Sequence, residues 1–159
     1  DVTEEYNGTS WSEQNNLNTA RYGFSGAGLQ TSALAFGGVQ SPPTISNNTE
    51  EYNGTAWTTV NNMAQPAFNH GGSGAQTAAL LFGGQTGTST GGAKTSAAFG
   101  YDGTNWSTRP SMGTTRSQIS GSSGTSNISA AAFGGTIAPY SAATEEFTVA
   151  ATAKTFTTS

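Results

Sequence analysis

The sequence contains no cysteine and very little charge. Without cysteine, disulfide bonds and thiolate metal sites are excluded, and the redox compartment is left undecided. Lysine and arginine together number only 5 and are scattered along the 159 residues, whereas nucleic-acid binding requires a positive surface. The net charge is -4, and 9% of the residues are charged. The composition therefore argues against a nucleic-acid-binding protein.

Long apolar segments are also missing. No run approaches the roughly 20 apolar residues of a membrane helix, and no leader of the signal-peptide type opens the chain, so we expect no membrane insertion. No segment shows the 3.6-residue apolar period of a helix. Aromatic residues reach 10% and recur at regular intervals, unlike in disordered chains, which have few aromatics and high net charge. We therefore predict a folded, all-β chain with a thin core.

The chain is instead dominated by one motif that is written several times. TEEYNGTSW at residues 3–11 returns as TEEYNGTAW at 49–57 and as AFGYDGTNW at 98–106, and it fades to TEEF at 144–147. The tyrosines of these copies, with Phe147 in the fourth place, are 46, 49 and 46 residues apart. A fixed period of this length predicts a repeat architecture.

Each copy of the motif predicts a β-hairpin. Asn-Gly or Asp-Gly follows the TEEY-like strand and predicts a type I′ turn. A tryptophan lies five residues after the tyrosine in all three full copies, which predicts one shared register across the hairpins. Because these aromatics recur at the same position in each repeat, we interpret them as residues that pack between repeats and not as platforms on which sugars stack.

A second apolar strand ends in a pair of glycines. Its copies are ALAFGG at residues 33–38, ALLFGG at 79–84 and AAAFGG at 130–135. In the first copy the alanines face one way and Leu34 and Phe36 the other, which suits closely stacked sheets. The glycines permit a close approach of the backbone. The positions to which we assign a structural role are Gly37, Gly38, Tyr52, Trp57, Gly83, Gly84, Tyr101, Trp106, Gly134 and Gly135.

Turn signals divide each repeat into four short strands, which predicts one four-stranded antiparallel sheet per repeat. The segments between each glycine pair and the next hairpin, at residues 39–48, 85–97 and 136–143, differ in length. They hold 10, 13 and 8 residues, so we predict loops on one face of the repeats. The candidate binding contacts are residues of these loops that lie outside the repeat: Pro42, Pro43, Lys94, Ile137 and Tyr140.

The spacing resembles the kelch motif, in which a double glycine is followed by a spaced tyrosine and tryptophan, then an apolar residue and an arginine. One full set in this chain is Gly83, Gly84, Tyr101, Trp106, Met112 and Arg116. The preceding set departs from the motif at Ala67, which replaces the arginine. The resemblance implies a β-propeller, whose blades are four-stranded sheets around a central channel. The wording TEEYNGTSW, LNTARYG and TSALAFGG is similar to that of kelch-like structural and adhesion proteins of marine bacteriophages, notably of cyanobacterial hosts.

The resemblance implies a single domain over residues 1–159 with about three and a half repeats. Half a blade lies in residues 1–14, and repeats follow at about 20–57, 67–106 and 116–157. Closed propellers have typically 4 to 8 blades, so we predict a part of a larger propeller or an oligomeric ring or filament. The start within a repeat favours a longer parent chain. Residues 153–159 replace the expected hairpin and are predicted as a last edge strand.

Two features suggest catalysis, and neither is specific. Glutamate pairs recur in the TEEY-like strands, and paired carboxylates carry out glycoside hydrolysis. Adjacent residues on a strand point to opposite faces, however, so we interpret the pairs as structural, one glutamate solvated and the other meeting Arg21 or Arg116. His70, the only histidine, is predicted at the surface or in a turn, and one histidine without cysteine cannot build a zinc site. We predict no enzymatic activity, metal or cofactor.

These observations and the resemblance together predict a non-enzymatic structural or adhesion module. The resemblance implies a virion or extracellular protein, such as a fibre, decoration or host-attachment protein, that displays its variable loops from a rigid scaffold. Its expected partners are other virion subunits, further copies of itself, and a glycan or protein of the host surface. The alternative is a secreted lectin-like or kelch-type interaction module. An enzyme on a propeller scaffold is opposed by the missing cysteine and histidine ligands.

Overall fold

The protein folds into β-strands joined by turns. The computed structural model describes residues 2–88, 91–137 and 140–149, and these residues form strands and no α-helix. No helix within those ranges therefore has the length and apolar character to cross a membrane. The strands are β1 (Thr3–Tyr6), β2 (Trp11–Gln14), β3 (Arg21–Tyr22), β4 (Ser25–Leu29), β5 (Ser32–Phe36), β6 (Val39–Gln40), β7 (Thr44–Ile45), β8 (Thr49–Tyr52), β9 (Trp57–Val60), β10 (Gly71–Ala75), β11 (Ala78–Phe82), β12 (Gln85–Thr86), β13 (Ala93–Lys94), β14 (Ala98–Tyr101), β15 (Trp106–Arg109), β16 (Ser120–Gly121), β17 (Ser129–Phe133) and β18 (Thr144–Thr148).

The first two full repeats each form a four-stranded antiparallel sheet. Sheet 1 has the order β4-β5-β8-β9, and sheet 2 has the order β10-β11-β14-β15. The third repeat contributes β16-β17-β18, which we call sheet 3, and the N-terminal hairpin β1-β2 precedes sheet 1. The all-β prediction is confirmed, and so is a four-stranded sheet for two of the repeats. The edge strand predicted at residues 153–159 lies outside the described residues.

Two of the segments predicted as loops contain short strands of their own. In residues 39–48, β6 pairs with β7 and also with β3. In residues 85–97, β12 pairs with β13. The sequence predicted only loops here and not these strand pairs, which form because the chain has to reverse direction within each segment. The reversal brings backbone N–H and C=O groups opposite each other, and these groups then pair.

The hairpin turns are not of type I′. That type requires positive φ at both central residues, whereas among the described residues only Asn69 and Gln118 have positive φ outside glycine. Asn53 instead accepts hydrogen bonds through its side-chain Oδ1 from the N–H groups of Thr55 and Ala56, at 3.0 and 2.9 Å. The same turn forms at Asn7 and Asp102. Four residues separate the paired tyrosine and tryptophan, so a longer, side-chain-capped turn closes each hairpin.

The apolar strand β11 separates two hydrophobic cores. Ala79 and Leu81 pack in one cluster with residues of sheet 1, and Leu80 and Phe82 pack in another with residues of sheet 3. Successive side chains of a strand point to opposite faces, so a strand that is apolar on both faces has to lie between two other layers. Leu34 and Phe36 of β5 share the first cluster, which confirms the alternation predicted for the first copy, and sheet 2 lies between sheets 1 and 3.

The glycine pairs hold neighbouring repeats together. Gly83 and Gly84 have φ of +65° and +97°, in the left-handed region that favours glycine. The Gly84 N–H donates to the carbonyl of Arg116, 2.9 Å away in the next repeat. A Cβ on Gly83 would lie 2.3 Å from Cδ1 of Ile119. The predicted close approach at the glycine pair is confirmed.

Candidate functional site

The paired glutamates are divided between opposite faces of their strands. Glu50 meets Arg21 at 2.9 Å, and its Oε2 accepts the backbone N–H of Asn18 at 2.7 Å. Glu51 points the other way and accepts the hydroxyl of Tyr101 at 2.9 Å. Glu50 and Glu51 therefore do not form a two-carboxylate site, which confirms their structural interpretation.

For Glu50 and Glu51 the interpretation was wrong in part, since neither side chain is exposed, whereas Glu146 is exposed and Glu145 meets Arg116 as predicted. The side chains of Arg21 and Glu50 are both fully buried, and their 2.9 Å contact is not angled as a hydrogen bond. Burial lowers the pKa of Arg21, and the charge of Glu50 opposes that shift. Arg116 and Glu145 repeat the contact at 2.9 Å in sheet 3, with Glu145 one quarter exposed. Removal of one partner from a buried pair of this kind strongly destabilises the folded protein, because the other charge stays buried without compensation.

The repeated aromatics connect each unit to the unit before it. The hydroxyl of Tyr101 reaches Glu51 of sheet 1, and Nε1 of Trp106 donates to Oγ1 of Thr49 at 3.0 Å. The preceding repeat makes the same two bonds, from Tyr52 to Glu5 and from Trp57 to Thr3. Burial, and then the hydrogen bond to glutamate, raises the pKa of Tyr52 and of Tyr101. The predicted role of Trp57 and Trp106 between repeats is confirmed.

The contact between sheets 2 and 3 lacks the equivalent tyrosine–glutamate hydrogen bond, because the acceptor is missing from sheet 2 and the donor is missing from sheet 3. Ala98 and Gly100 of β14 occupy the places that Thr49 and Glu51 hold in β8. Phe147 stands where the other repeats have tyrosine and has no hydroxyl to donate. The tyrosine donor and its acceptor have thus disappeared together at this contact, so neither leaves the other unpaired.

His70 lies in the interior and not at the surface. It is 4% exposed, and its ring stacks on Phe36 with centroids 5.5 Å apart. The ring nitrogens lie near the backbone of Phe36 and Gly71 without hydrogen-bond geometry. Burial lowers the pKa of His70 to about 4, so the ring is neutral at pH 7. The prediction of a surface or turn histidine was wrong because the equivalent residues, Phe24 and Ile119, mark an apolar position between sheets.

The variable segments are neighbours in space, in the order of the repeats. Pro43 of the first segment and Thr86 of the second line one cleft. Lys94 of the second segment donates its Nζ hydrogen to the carbonyl of Ile137 in the third. The structure therefore brings together three of the five candidate contacts, Pro43 with the second segment and Lys94 with Ile137.

The other two candidates are exposed but stand apart from that cleft. Pro42 is exposed beside Pro43, and Tyr140 has 84% of its surface exposed. Neither of them lines the cleft. They remain available for contact without forming part of a concave site.

The cleft between the first two variable segments has a volume of about 360 Å³. Its lining residues are Pro43, Thr44, Ile45, Gln65, Pro66, Thr86, Gly87 and Thr88. None of these side chains is charged, and the lining includes both hydroxyl or amide groups and apolar surface. Such a lining suits an uncharged ligand that is rich in hydroxyl groups.

Sequence reasoning missed Gln65 and Pro66, although a signal was present. The two residues lie inside the repeat, where the other copies have Thr-Ala at residues 19–20 and Thr-Thr at 114–115. An alignment of the repeats with one another marks the Gln-Pro pair as the departure. Departures inside the repeat thus deserve the same weight as differences in loop length.

Among the residues that the structure describes, no three histidine, aspartate or glutamate side chains gather in a way that could hold a metal ion. Comparison with protein-family models and with curated proteins gives no match. The loop cleft and the contacts between sheets are accordingly the features that bear on function.

Proposed function

We propose that this chain is a non-enzymatic structural or adhesion module of a phage virion, in which kelch-like propeller blades carry loops that contact the host surface. The repeat-locked residues hold the sheets to one another, as the bonds of Tyr101 and Trp106 illustrate. Those residues are thereby unavailable to a ligand. Binding is left to the segments that do not repeat.

The loop cleft is the observation that carries this proposal. Two segments of different length and sequence, 39–48 and 85–97, meet along it, although they belong to different repeats. A rigid stack of sheets fixes the distance between the two segments. Binding residues often lie on loops that such a scaffold holds in place. The chain therefore presents a shaped surface whose sequence can change without changing the core.

The ligand we assign to the cleft is a neutral glycan of the host surface. Thr44, Gln65 and Thr88 offer hydroxyl and amide groups for hydrogen bonds, and Pro43 and Pro66 offer apolar surface for the faces of sugar rings. No charged side chain lines the cleft, so an acidic polysaccharide would find no cation there. Neutral oligosaccharides are accordingly the first probes to use.

The proposal is tested with the labelled chain on an array of neutral and acidic polysaccharides extracted from cyanobacterial cell envelopes. Thr44→Trp fills the cleft from an exposed position, and Thr58→Trp makes the same change on the exposed surface of β9. We expect Thr44→Trp to weaken binding to a neutral polysaccharide by about tenfold or more, and Thr58→Trp to leave it unchanged. Equal binding by both variants would exclude the cleft as the site.

The virion role has its own measurement, because binding to sugar does not require a phage particle. Peptides of this chain should be found by mass spectrometry in purified particles, at a constant ratio to the capsid protein. A chain that binds the array but is absent from particles would refute the virion role in favour of a secreted lectin-like module.

A further inference from the structure

The N-terminal hairpin exposes an aromatic pair whose tyrosine is buried and whose tryptophan is half-buried in the next two hairpins. Tyr6 and Trp11 are 48% and 65% exposed, and their rings pack together with centroids 5.3 Å apart. The equivalent Tyr52 and Tyr101 are fully buried, each against the unit before it. We call the surface formed by Tyr6 and Trp11 the head.

Sheet 3 exposes the matching set of acceptors. Thr144 and Glu146 are exposed on one face of β18, and Phe133 beside them is 42% exposed. Alternation along β18 puts Glu145 and Phe147 on the other face, toward sheet 2, where Glu145 meets Arg116. We call the surface formed by Phe133, Thr144 and Glu146 the tail.

The contact between sheets 1 and 2 shows how a head fits a tail. There Tyr101 donates to Glu51, Trp106 donates to Thr49, and Trp106 packs edge-on against Phe36 with centroids 5.2 Å apart. By position in the repeat, the head residues correspond to the donors, Tyr6 to Tyr101 and Trp11 to Trp106. The tail residues correspond to the residues of sheet 1 that these donors contact: Glu146 to Glu51, Thr144 to Thr49 and Phe133 to Phe36.

A second comparison shows that the matching sets are not just a by-product of repetition. Where sheet 2 meets sheet 3, the acceptor positions have become Ala98 and Gly100, and the donor position has become Phe147. The contact that lacks the tyrosine donor has therefore also lost the acceptors. The tail keeps Thr144 and Glu146, and the head keeps the tyrosine and tryptophan that would bind them.

We propose that this chain binds a second copy of itself head to tail, with Tyr6 donating to Glu146 and Trp11 packing on Phe133 and donating to Thr144 of the next copy. The inference deepens the structural role proposed above, since it names the partner of these two faces, and it needs no assumption about what the loops bind. Head and tail are different surfaces, so the contact is heterologous and repeats from copy to copy until a ring closes or a filament grows.

The decisive experiment uses sedimentation velocity of the 159-residue chain between about 1 µM and about 1 mM. We expect the wild-type chain to form species larger than a dimer as concentration rises. Trp11→Ala removes the head, and Phe133→Asp removes the tail, so each variant alone should remain monomeric. A mixture of the two has one intact head and one intact tail, and should give a 1:1 complex and nothing larger.

Substitutions that leave the fold intact sharpen the test. Tyr6→Phe removes one hydrogen bond to a carboxylate and should raise the dissociation constant by about tenfold or more, whereas Tyr22→Phe, at an exposed tyrosine outside the head, should not. Glu146→Lys replaces Phe133→Asp if the latter lowers the melting temperature, because Glu146 is exposed.

Three results would overturn the inference: a wild-type chain that stays monomeric throughout, variants that associate as strongly as wild type, or a mixture that forms no 1:1 complex. The first is also the result expected if the two faces are covered by further repeats of a longer parent chain. The glycan array reports separately on the loops. If the chain binds glycans on the array but does not self-associate, only the self-assembly proposal is refuted. If it self-associates but binds no glycan, only the proposed ligand is refuted.

Discussion

The buried histidine should make the stability of this protein fall in mild acid. The pKa of His70 is lowered by burial to about 4, whereas a histidine in an unfolded chain has a pKa of about 6.5. Between these values the unfolded state binds a proton that the folded state does not. Stability is therefore fully present above about pH 6.5 and is lost as the pH falls toward 4.

The size of the loss follows from the difference between the two pKa values. One pKa unit corresponds to about 1.4 kcal/mol, so complete protonation of the unfolded state costs the fold about 3 kcal/mol. At about pH 5 roughly 2 kcal/mol of this loss is already expressed. This is a large share of the stability of a single domain, which is about 5 to 15 kcal/mol.

Urea unfolding, followed by tryptophan fluorescence at about pH 7.5 and about pH 5, measures the effect. His70→Phe is the matched control because the equivalent residues of the other repeats are Phe24 and Ile119, which do not titrate. Carboxylates contribute equally to both proteins and cancel in the difference. We expect the wild-type chain to lose about 2 kcal/mol more than the variant over this pH step.

Parallel loss of stability in the two proteins would refute the reasoning. It would mean that the imidazole of His70 accepts a proton in the folded state as readily as in water. The apolar position between sheets 1 and 2 would then be open to solvent, contrary to its burial against Phe36.

Two further substitutions test the packing between repeats. Gly83→Val should destabilise the fold by more than about 3 kcal/mol, because a side chain there meets Ile119 and requires a strained φ; the control Gly91→Val has open space around it and should change the free energy of unfolding by less than about 0.5 kcal/mol. Arg21→Ala should cost about 3 to 5 kcal/mol by leaving Glu50 buried without its partner, and adding Glu50→Phe, which copies the second repeat, should recover most of that loss. Equal urea midpoints for the two glycine variants, or a double variant no more stable than Arg21→Ala, would contradict these interpretations.

Regular alternation is what made the fold readable from the sequence. The apolar run ALLF before the double glycine predicts a strand with two apolar faces, and Ala79 and Leu80 do separate into two cores. The double glycine gave an equally direct signal, since few other residues tolerate the φ of Gly83 and Gly84. Local pattern and tertiary packing agree in these segments.

Burial of polar groups was not readable in the same way. Glu50 and Arg21 lie 29 residues apart, and nothing in either local sequence shows that the neighbouring layers exclude water from both. The prediction of a type I′ hairpin turn was wrong for another reason. Asn53 and Gly54 are common to two turn types, and the side-chain oxygen of Asn53 selects the longer one by capturing two backbone N–H groups.

The candidate site was predicted in part. Differences in segment length led to Pro43, Lys94 and Ile137, which the structure does place at contacts between variable segments. The cleft itself depends on how two repeats stack, so its remaining walls, Gln65 and Pro66, belong to no variable loop. To predict a site shared between two repeats, the distance between their stacked sheets has to be known, and the sequence of a single repeat does not give that distance.

The paired loss of the tyrosine donor and its acceptor between sheets 2 and 3 also limits which repeat the gene can lose. Recombination between such similar copies can delete one, and deletion of the second repeat would place Phe147 opposite Glu51. That carboxylate would keep its acceptor oxygens and lose the hydroxyl of Tyr101, at a cost of about 1 to 3 kcal/mol. Repeats that look interchangeable along the sequence thus differ in what they require of their neighbours, and the second repeat cannot be deleted without loss of this contact.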